Sequence, residues 1–428
     1  MALTTNKKNI FYAMLLMYAL FSFITPLSSM LFIVPTLIIF SSVILFDDSD
    51  VLCLLAFGAC FGNCGWKISQ FLTTIDIVIG LLIIKQFIIA LKTKNKRNII
   101  FISIMVSIVM IVTMYGLIIT HFHFYKYAQG LGILLAVTEV GLLGKINLKK
   151  LSLVLSFGII ASAILSIIAS NCGILVQEPY SLVSSTTVRF GAYFLNVNAL
   201  ALYCSICQAC LLTLILTREF HIKNWFWLPL IITGIGFMSF SKTFALITVV
   251  TYFMFAIIGF AISKHKKNYI IWSAITLIVL AVVLVVCWDY VEILIGRFGL
   301  DKQTSNKLNT ITTGRVNIWT VYINKWKSSP LYILFGCGIT ADNLVNRTTH
   351  SLLISLLYKF GIIGTIALIG ALIFMFRGRF KGKNIIYWLP LIVILTNGIS
   401  EDIACSLYTC LPILISLTFA LNAKNKQK

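Results

Sequence analysis

Apolar runs follow one another along the whole chain, separated by short polar stretches. A helix needs about 20 apolar residues to cross a bilayer, so the pattern predicts a succession of membrane spans. Fourteen are read, with cores at 9–25, 28–46, 51–65, 71–91, 99–120, 127–143, 151–169, 193–216, 225–238, 244–262, 270–286, 351–376, 385–396 and 403–421. The runs at 51–65 and 385–396 are short for a full crossing, which points to tilted, broken or re-entrant segments and leaves twelve or thirteen spans open. The predicted fold is an all-α polytopic membrane protein, one integral membrane domain over 1–428 with about 14 (12–14) transmembrane helices.

Composition agrees with this pattern. Hydrophobic residues make up 59% of the 428 positions and charged residues 11%, with a mean hydropathy of +0.98. A soluble globular domain has about 25% charged residues, so that class is excluded. The net charge of +21 would point to nucleic acid in a soluble protein. Here 21 of the 34 Lys and Arg residues fall in alternate loops, from Lys7 and Lys8 through Lys92–Arg97, Lys145–Lys150, Arg218 and Lys223, Lys264–Lys267 and Arg377–Lys383 to the Lys424–Lys428 tail. Basic residues resist translocation, so these loops and both termini are expected in the cytoplasm. The expected location is the cytoplasmic membrane, with membrane lipids and no nucleic acid as partners. Asp47, Asp48 and Asp50 fall on the same side, which the rule tolerates. The first run lacks a small-residue cleavage site, so no cleavable signal peptide is expected.

The remaining basic residues concentrate outside. The one long connection, 289–349, lies between the eleventh and twelfth spans on the external face and carries Arg297, Arg315 and Arg347. Loops of this length are usually functional. Ile318, Trp319, Tyr322, Ile323 and Trp326 repeat at helical spacing, predicting a short amphipathic helix lying at the membrane surface. Gly336 and Gly338 then bend the chain, and His350 stands at the outer mouth of the twelfth span. Smaller external connections contribute Arg189 and Lys242. Structural roles compete at each position: Arg297 and Arg347 as solvated loop charges, Arg189 as an interfacial anchor, His350 as a helix cap. Asp76, Lys85, Glu139 and Lys359 fall within spans, where a charge is usually paired or faces a cavity. Cys204, Cys207 and Cys210 repeat in the eighth span without a histidine beside them and are read as small apolar packing residues. His121 and His123 form a lone loop pair, and no metal site is expected. No nucleotide-binding glycine motif and no internal repeat is present, which argues against transporter folds built from duplicated halves.

Four pieces of sequence resemble, in order, the O-antigen ligase and polymerase (Wzy-type) superfamily of integral membrane glycosyltransferases. Arg189-Phe190-Gly191 with Asn196-Val197-Asn198-Ala199 is similar to its Arg, Gly and Asn-Pro-Asn pattern. Ser239-Phe240-Ser241-Lys242-Thr243 resembles its Ser-Arg-Thr element. Thr313-Gly314-Arg315 with Trp319, then Phe335-Gly336-Cys337-Gly338, resembles its Ser-Gly-Arg, Trp and Gly-x-Gly sequence. His350 with Leu353, Leu357, Gly361 and Gly364 resembles its His-Asn helix start and Gly-Leu-x-Gly. The likeness covers about 189–401. Lys242 stands where the family often has Arg, and an ammonium lacks the planar fork that grips two phosphate oxygens. Ser351 replaces the Asn after His, and Val197 replaces the Pro.

The resemblance implies a GT-C-like fold and a metal-independent inverting glycosyltransferase that needs no cofactor. A sugar outside the membrane has no nucleotide sugar at hand, so its donor must arrive activated, as a polyprenyl pyrophosphate glycan. Arg189, Lys242 and Arg315 are the candidates for holding the pyrophosphate and its growing charge. An attacking sugar hydroxyl benefits from a base, and His350 is that candidate, a histidine being largely neutral at pH 7. Asn196, Asn198, Arg347 and Glu401 are supporting candidates, Glu401 with Asp402 as a competing base. The expected activity is a polymerase that joins lipid-linked repeat units for capsule, O-antigen or another exopolysaccharide, with a chain-length regulator as a further partner. The alternatives are a ligase that transfers the glycan to a different acceptor, or a lipid-linked oligosaccharide flippase.

Overall fold

A computed structural model describes residues 2–62, 74–96, 146–174, 180–184, 187–194, 197–262, 314–338, 349–377, 382–400 and 407–422, with isolated positions between 99 and 114 and at 271 and 274. The elements in order are α1 (Ala2–Ile24), α2 (Ile33–Leu45), α3 (Asp48–Ala59), α4 (Thr74–Lys92), α5 (Leu148–Asn171), β1 (Tyr180–Ser184), β2 (Thr187–Phe190) and α6 (Val197–Leu216). They continue with α7 (Trp227–Phe237), α8 (Lys242–Ile262), α9 (Arg315–Lys327), α10 (Pro330–Phe335), α11 (Leu352–Phe376), α12 (Leu389–Ser400) and α13 (Leu407–Asn422). Among the described residues five helices are long and apolar enough to cross a membrane, within α1, α5, α6, α8 and α11, and three shorter apolar helices accompany them.

The two short runs behave differently from full spans. The 51–65 run forms the twelve-residue α3, capped by Asp47, whose carboxylate accepts the Asp50 amide at 2.8 Å. Buried at Ser49 and from Val51 to Ala59, α3 is a core helix, as its length suits. The 385–396 run is broken, a 3-10 helix at Gly382–Trp388 leading into α12. The all-α expectation needs one correction. Tyr180–Ser184 and Thr187–Phe190 pair as an antiparallel hairpin, with Ser181 opposite Arg189. Its Tyr180, Val183, Thr187, Val188 and Phe190 are β-formers, too few for the hydropathy pattern to reveal.

Nearly every residue of α6 is buried, Asn198 excepted, and a helix apolar all round belongs at the centre of a bundle. Cys204, Cys207 and Cys210 lie buried within it as free thiols, in the packing role expected of them. Ser156 of α5 meets Cys207 at 3.2 Å, while six residues on Ser162 accepts the Tyr193 amide at 3.3 Å, so α5 and α6 run antiparallel. Gln208 is the polar hub of the centre: its Nε2 donates to Thr248 of α8 at 3.1 Å and its Oε1 accepts from Thr233 of α7 at 2.9 Å. An amide buried among three helices without these partners would be costly. Gln208→Leu is therefore expected to lower stability by about 1–2 kcal/mol, read as thermal unfolding of the detergent-purified protein. A Gln208→Leu, Thr248→Val double variant should lose less than the sum of its singles.

Hydrogen bonds and ion pairs fix which connections share an end of the bundle. At one end Lys150 Nζ stands 2.6 Å from Asp50 and 3.5 Å from the Phe11 ring centre, and Lys85 stands 2.8 Å from Asp48. Lys85 thus has the acidic partner that a charge within an apolar helix requires. The Tyr387 hydroxyl donates to Glu219 at 3.0 Å, tying the connection after α6 to the 3-10 helix before α12. Phe376, the last residue of α11, packs against Trp388 with ring centres 4.9 Å apart. The far end of α11, at His350, therefore faces the opposite end of the bundle, where the hairpin meets the α7–α8 turn. Connections that the charge pattern assigns to one side thus meet each other in the fold.

Candidate active site

The motif residues form two groups, and the first is built on a helix end. A helix terminates with carbonyls that have no intrahelical partner, and beyond α7 the hairpin supplies donors for them. The Phe190 amide donates to the Met238 carbonyl at 3.0 Å, and Arg189 Nε donates to the Ser239 carbonyl at 2.7 Å. Arg189 Nη2 reaches Asn198 Oδ1 at 3.0 Å, joining the hairpin to the start of α6. A cation is favourable at a helix carboxyl end, and Arg189 is only 8% exposed. It is a buried brace between three elements, where the sequence suggested a pyrophosphate ligand with an interfacial anchor as the competing role.

The chain then reverses through Phe240, at φ 49°, into Ser241. The Ser241 hydroxyl accepts the Phe244 amide at 3.3 Å and caps α8. Lys242 is the first residue of α8 and is half-buried. A cation there opposes the helix dipole, whereas an anion would be favoured by both the dipole and the ammonium.

The second group joins α9 to the start of α11. Gly314, in the left-handed region at φ 81°, leads into α9 with Arg315 as its first residue. Arg315 and Trp319 lie one turn apart on one face of the helix. The Trp319 indole N–H donates to the Thr349 carbonyl at 2.9 Å, so Arg315 and His350 belong to one neighbourhood although the sequence separates them widely. The Thr349 hydroxyl donates to the Ser351 carbonyl at 3.0 Å, bridging across His350. His350 itself takes φ 48°, a conformation costing a non-glycine residue roughly 1 kcal/mol or more. Arg315 and His350 are both half-buried.

The amphipathic helix is found at α9, and Ile318 and Tyr322 of its apolar face are covered by protein while Trp319, Ile323 and Trp326 are half-buried. Ile318 and Tyr322 pack with Ile354 and Tyr358 of α11, the tyrosine rings 4.9 Å apart and edge to face. This cluster is separate from the main core. Below it, α11 is broken at Gly361, with φ 62° and ψ −171°. The carbonyls freed there accept from the glycine strap after α10: the Cys337 amide donates to Tyr358 at 2.6 Å and the Gly338 amide to Lys359 at 3.1 Å. Burial pushes the Cys337 thiol up to about 11, Tyr358 and Lys325 drawing it down by less.

Of the other sequence candidates, Asn198 is placed as described, while Asn196, Arg347, Glu401, Asp402, Arg297 and the His121–His123 pair lie outside the described residues. The sequence did not single out Thr349 or the Ser239 carbonyl, since neither carries a side-chain signature of a site. Trp319 was legible as part of a motif but not as a link between motifs.

These observations define a helical membrane protein with basic residues gathered around helix ends. Residues 227–369 match the family model described as O-antigen ligase, a stretch of about a third of the chain that runs from α7 into α11 and includes Lys242, Arg315, Trp319 and His350. Over that stretch the chain is similar to the O-antigen ligase/polymerase superfamily of membrane glycosyltransferases. Among curated proteins none matches the chain.

Proposed function

We propose that the protein is a polysaccharide polymerase at the outer face of the cytoplasmic membrane, transferring a polyprenyl-pyrophosphate-linked glycan onto a second lipid-linked repeat unit. The observation that carries this reading is electrostatic. Lys242 and Arg315 each open a helix and His350 stands two residues before one, three positions where the dipole repels a cation and attracts an anion. Such an arrangement costs stability in isolation and becomes favourable once a multiply charged phosphate group is bound. With both termini inside, the charge pattern of the loops puts the basic groups outside, where the lipid carrier presents its glycan.

In the reaction, a hydroxyl of the acceptor glycan attacks the anomeric carbon of the donor from the face opposite the pyrophosphate, and the configuration inverts. The bond from that carbon to the phosphate oxygen breaks, and its electron pair leaves on the polyprenyl pyrophosphate. His350 takes the proton from the attacking hydroxyl. Arg315 and Lys242 stabilise the charge growing on the leaving oxygen, and the brace formed by Arg189 holds the α7–α8 turn that carries Lys242. No metal takes part in this scheme.

A ligase is the second reading, favoured by the description of the matching family. Both activities use the same donor and differ in acceptor. Purified protein in liposomes with a lipid-linked repeat unit as sole substrate should give a ladder of lengthening products. Product formed only after a different acceptor is added would establish the ligase, and neither product would remove both readings.

A further inference from the structure

We infer that Trp319 is a positioning residue that sets the imidazole of His350 by fixing the chain on both sides of it. The inference deepens the proposed function and rests on it. Thr349 is held twice: its carbonyl accepts the Trp319 indole N–H at 2.9 Å, and its hydroxyl donates to the Ser351 carbonyl at 3.0 Å. Between these anchors His350 takes its left-handed conformation, which needs surrounding structure to persist. The indole donor is itself rigidly placed, because the neighbouring Ile318 and Tyr322 key α9 onto Ile354 and Tyr358 just beyond the histidine.

The same helix carries Arg315 one turn before Trp319. A single N–H therefore sets the spacing between the group that would hold the leaving phosphate and the group that would accept the proton. Misplacement of a reacting group by about 1 Å can cost 100-fold in rate, so a bond at this junction has leverage on turnover and little on substrate binding.

The test is Trp319→Phe, which keeps an aromatic ring and removes the N–H, with Trp319→His to return a ring N–H. In the liposome assay Trp319→Phe should lower kcat about tenfold or more with KM for the lipid-linked donor changed less than about twofold, and Trp319→His should recover part of the loss. Alongside, in proteins whose other four histidines are replaced by glutamine, the rate at which diethyl pyrocarbonate modifies His350 should differ depending on whether Trp319 is kept or carries the Trp319→Phe change. Unchanged kcat with an unchanged modification rate would overturn the inference and leave the glycosyltransferase reading standing. If the parent protein makes no glycan product, that reading fails, and the modification rates alone decide: a difference supports the positioning role, and equality overturns it.

Discussion

Removing either the Arg315 guanidinium or the His350 imidazole is expected to abolish long glycan chains while the protein still accumulates in the membrane. Loss of a general base typically costs 100- to 10,000-fold, and loss of one preorganised cation beside a developing oxyanion about 100- to 1,000-fold. Both side chains are half-buried and neither belongs to the two buried clusters, so the fold should tolerate their removal within about 1 kcal/mol. His350 needs a particular replacement because its φ is 48°. Alanine adds backbone strain there, whereas asparagine tolerates the left-handed region; His350→Asn removes the base with the backbone kept. Arg315→Lys keeps the charge but loses the fork and should retain part of the activity that Arg315→Ala loses. Normal chain-length ladders from Arg315→Ala and His350→Asn together would remove the catalytic assignment.

The membrane class and most helices were legible because hydropathy and loop charge are properties of whole segments. The periodicity of Ile318, Tyr322 and Trp326 located α9 but could not say what would cover it, since an apolar stripe suits lipid and protein equally. The hairpin at Tyr180–Phe190 escaped because a two-strand ribbon has too few residues to show alternation against an apolar background. Arg189 illustrates a different limit. Its charge and position suggest a ligand for phosphate, yet its geometry is governed by the Ser239 carbonyl and Asn198, a backbone acceptor and an amide that sequence cannot pair with it. Motif order brought Arg315 and His350 into one reading, and the physical reason for their pairing, an indole N–H on a main-chain carbonyl, is visible only in three dimensions. Apolar runs of similar length became a core helix at α3 and a broken pair at 382–400, because hydropathy measures burial and does not distinguish burial in lipid from burial in protein.

The glycine strap should prove the most sensitive point of the α9–α11 region. Gly336 and Gly361 approach backbone to backbone: a methyl at Gly336 would stand 2.5 Å from the Lys359 carbonyl group, and one at Gly361 would meet the Leu334 carbonyl and the Gly336 amide. Main chain cannot swing aside as a flexible side chain can. Gly361→Ala therefore combines overpacking, worth about 1–3 kcal/mol, with a φ of 62° and ψ of −171°, a region essentially closed to other residues that adds about 1–3 kcal/mol. Gly314→Ala is the control, since its φ is 81° but its methyl would meet nothing within 4 Å, so it should cost only about 1 kcal/mol. Detergent-solubilised Gly361→Ala is expected to unfold at a lower temperature than Gly314→Ala, and its Cys337 and Gly338 amides should lose protection from hydrogen exchange. That loss matters for activity because the strap ends the half-helix 352–360 on which α9 is seated, and α9 carries both Arg315 and the indole that holds Thr349. Equal stability and equal exchange in the two variants would mean that the strap is not what keeps α9 against α11.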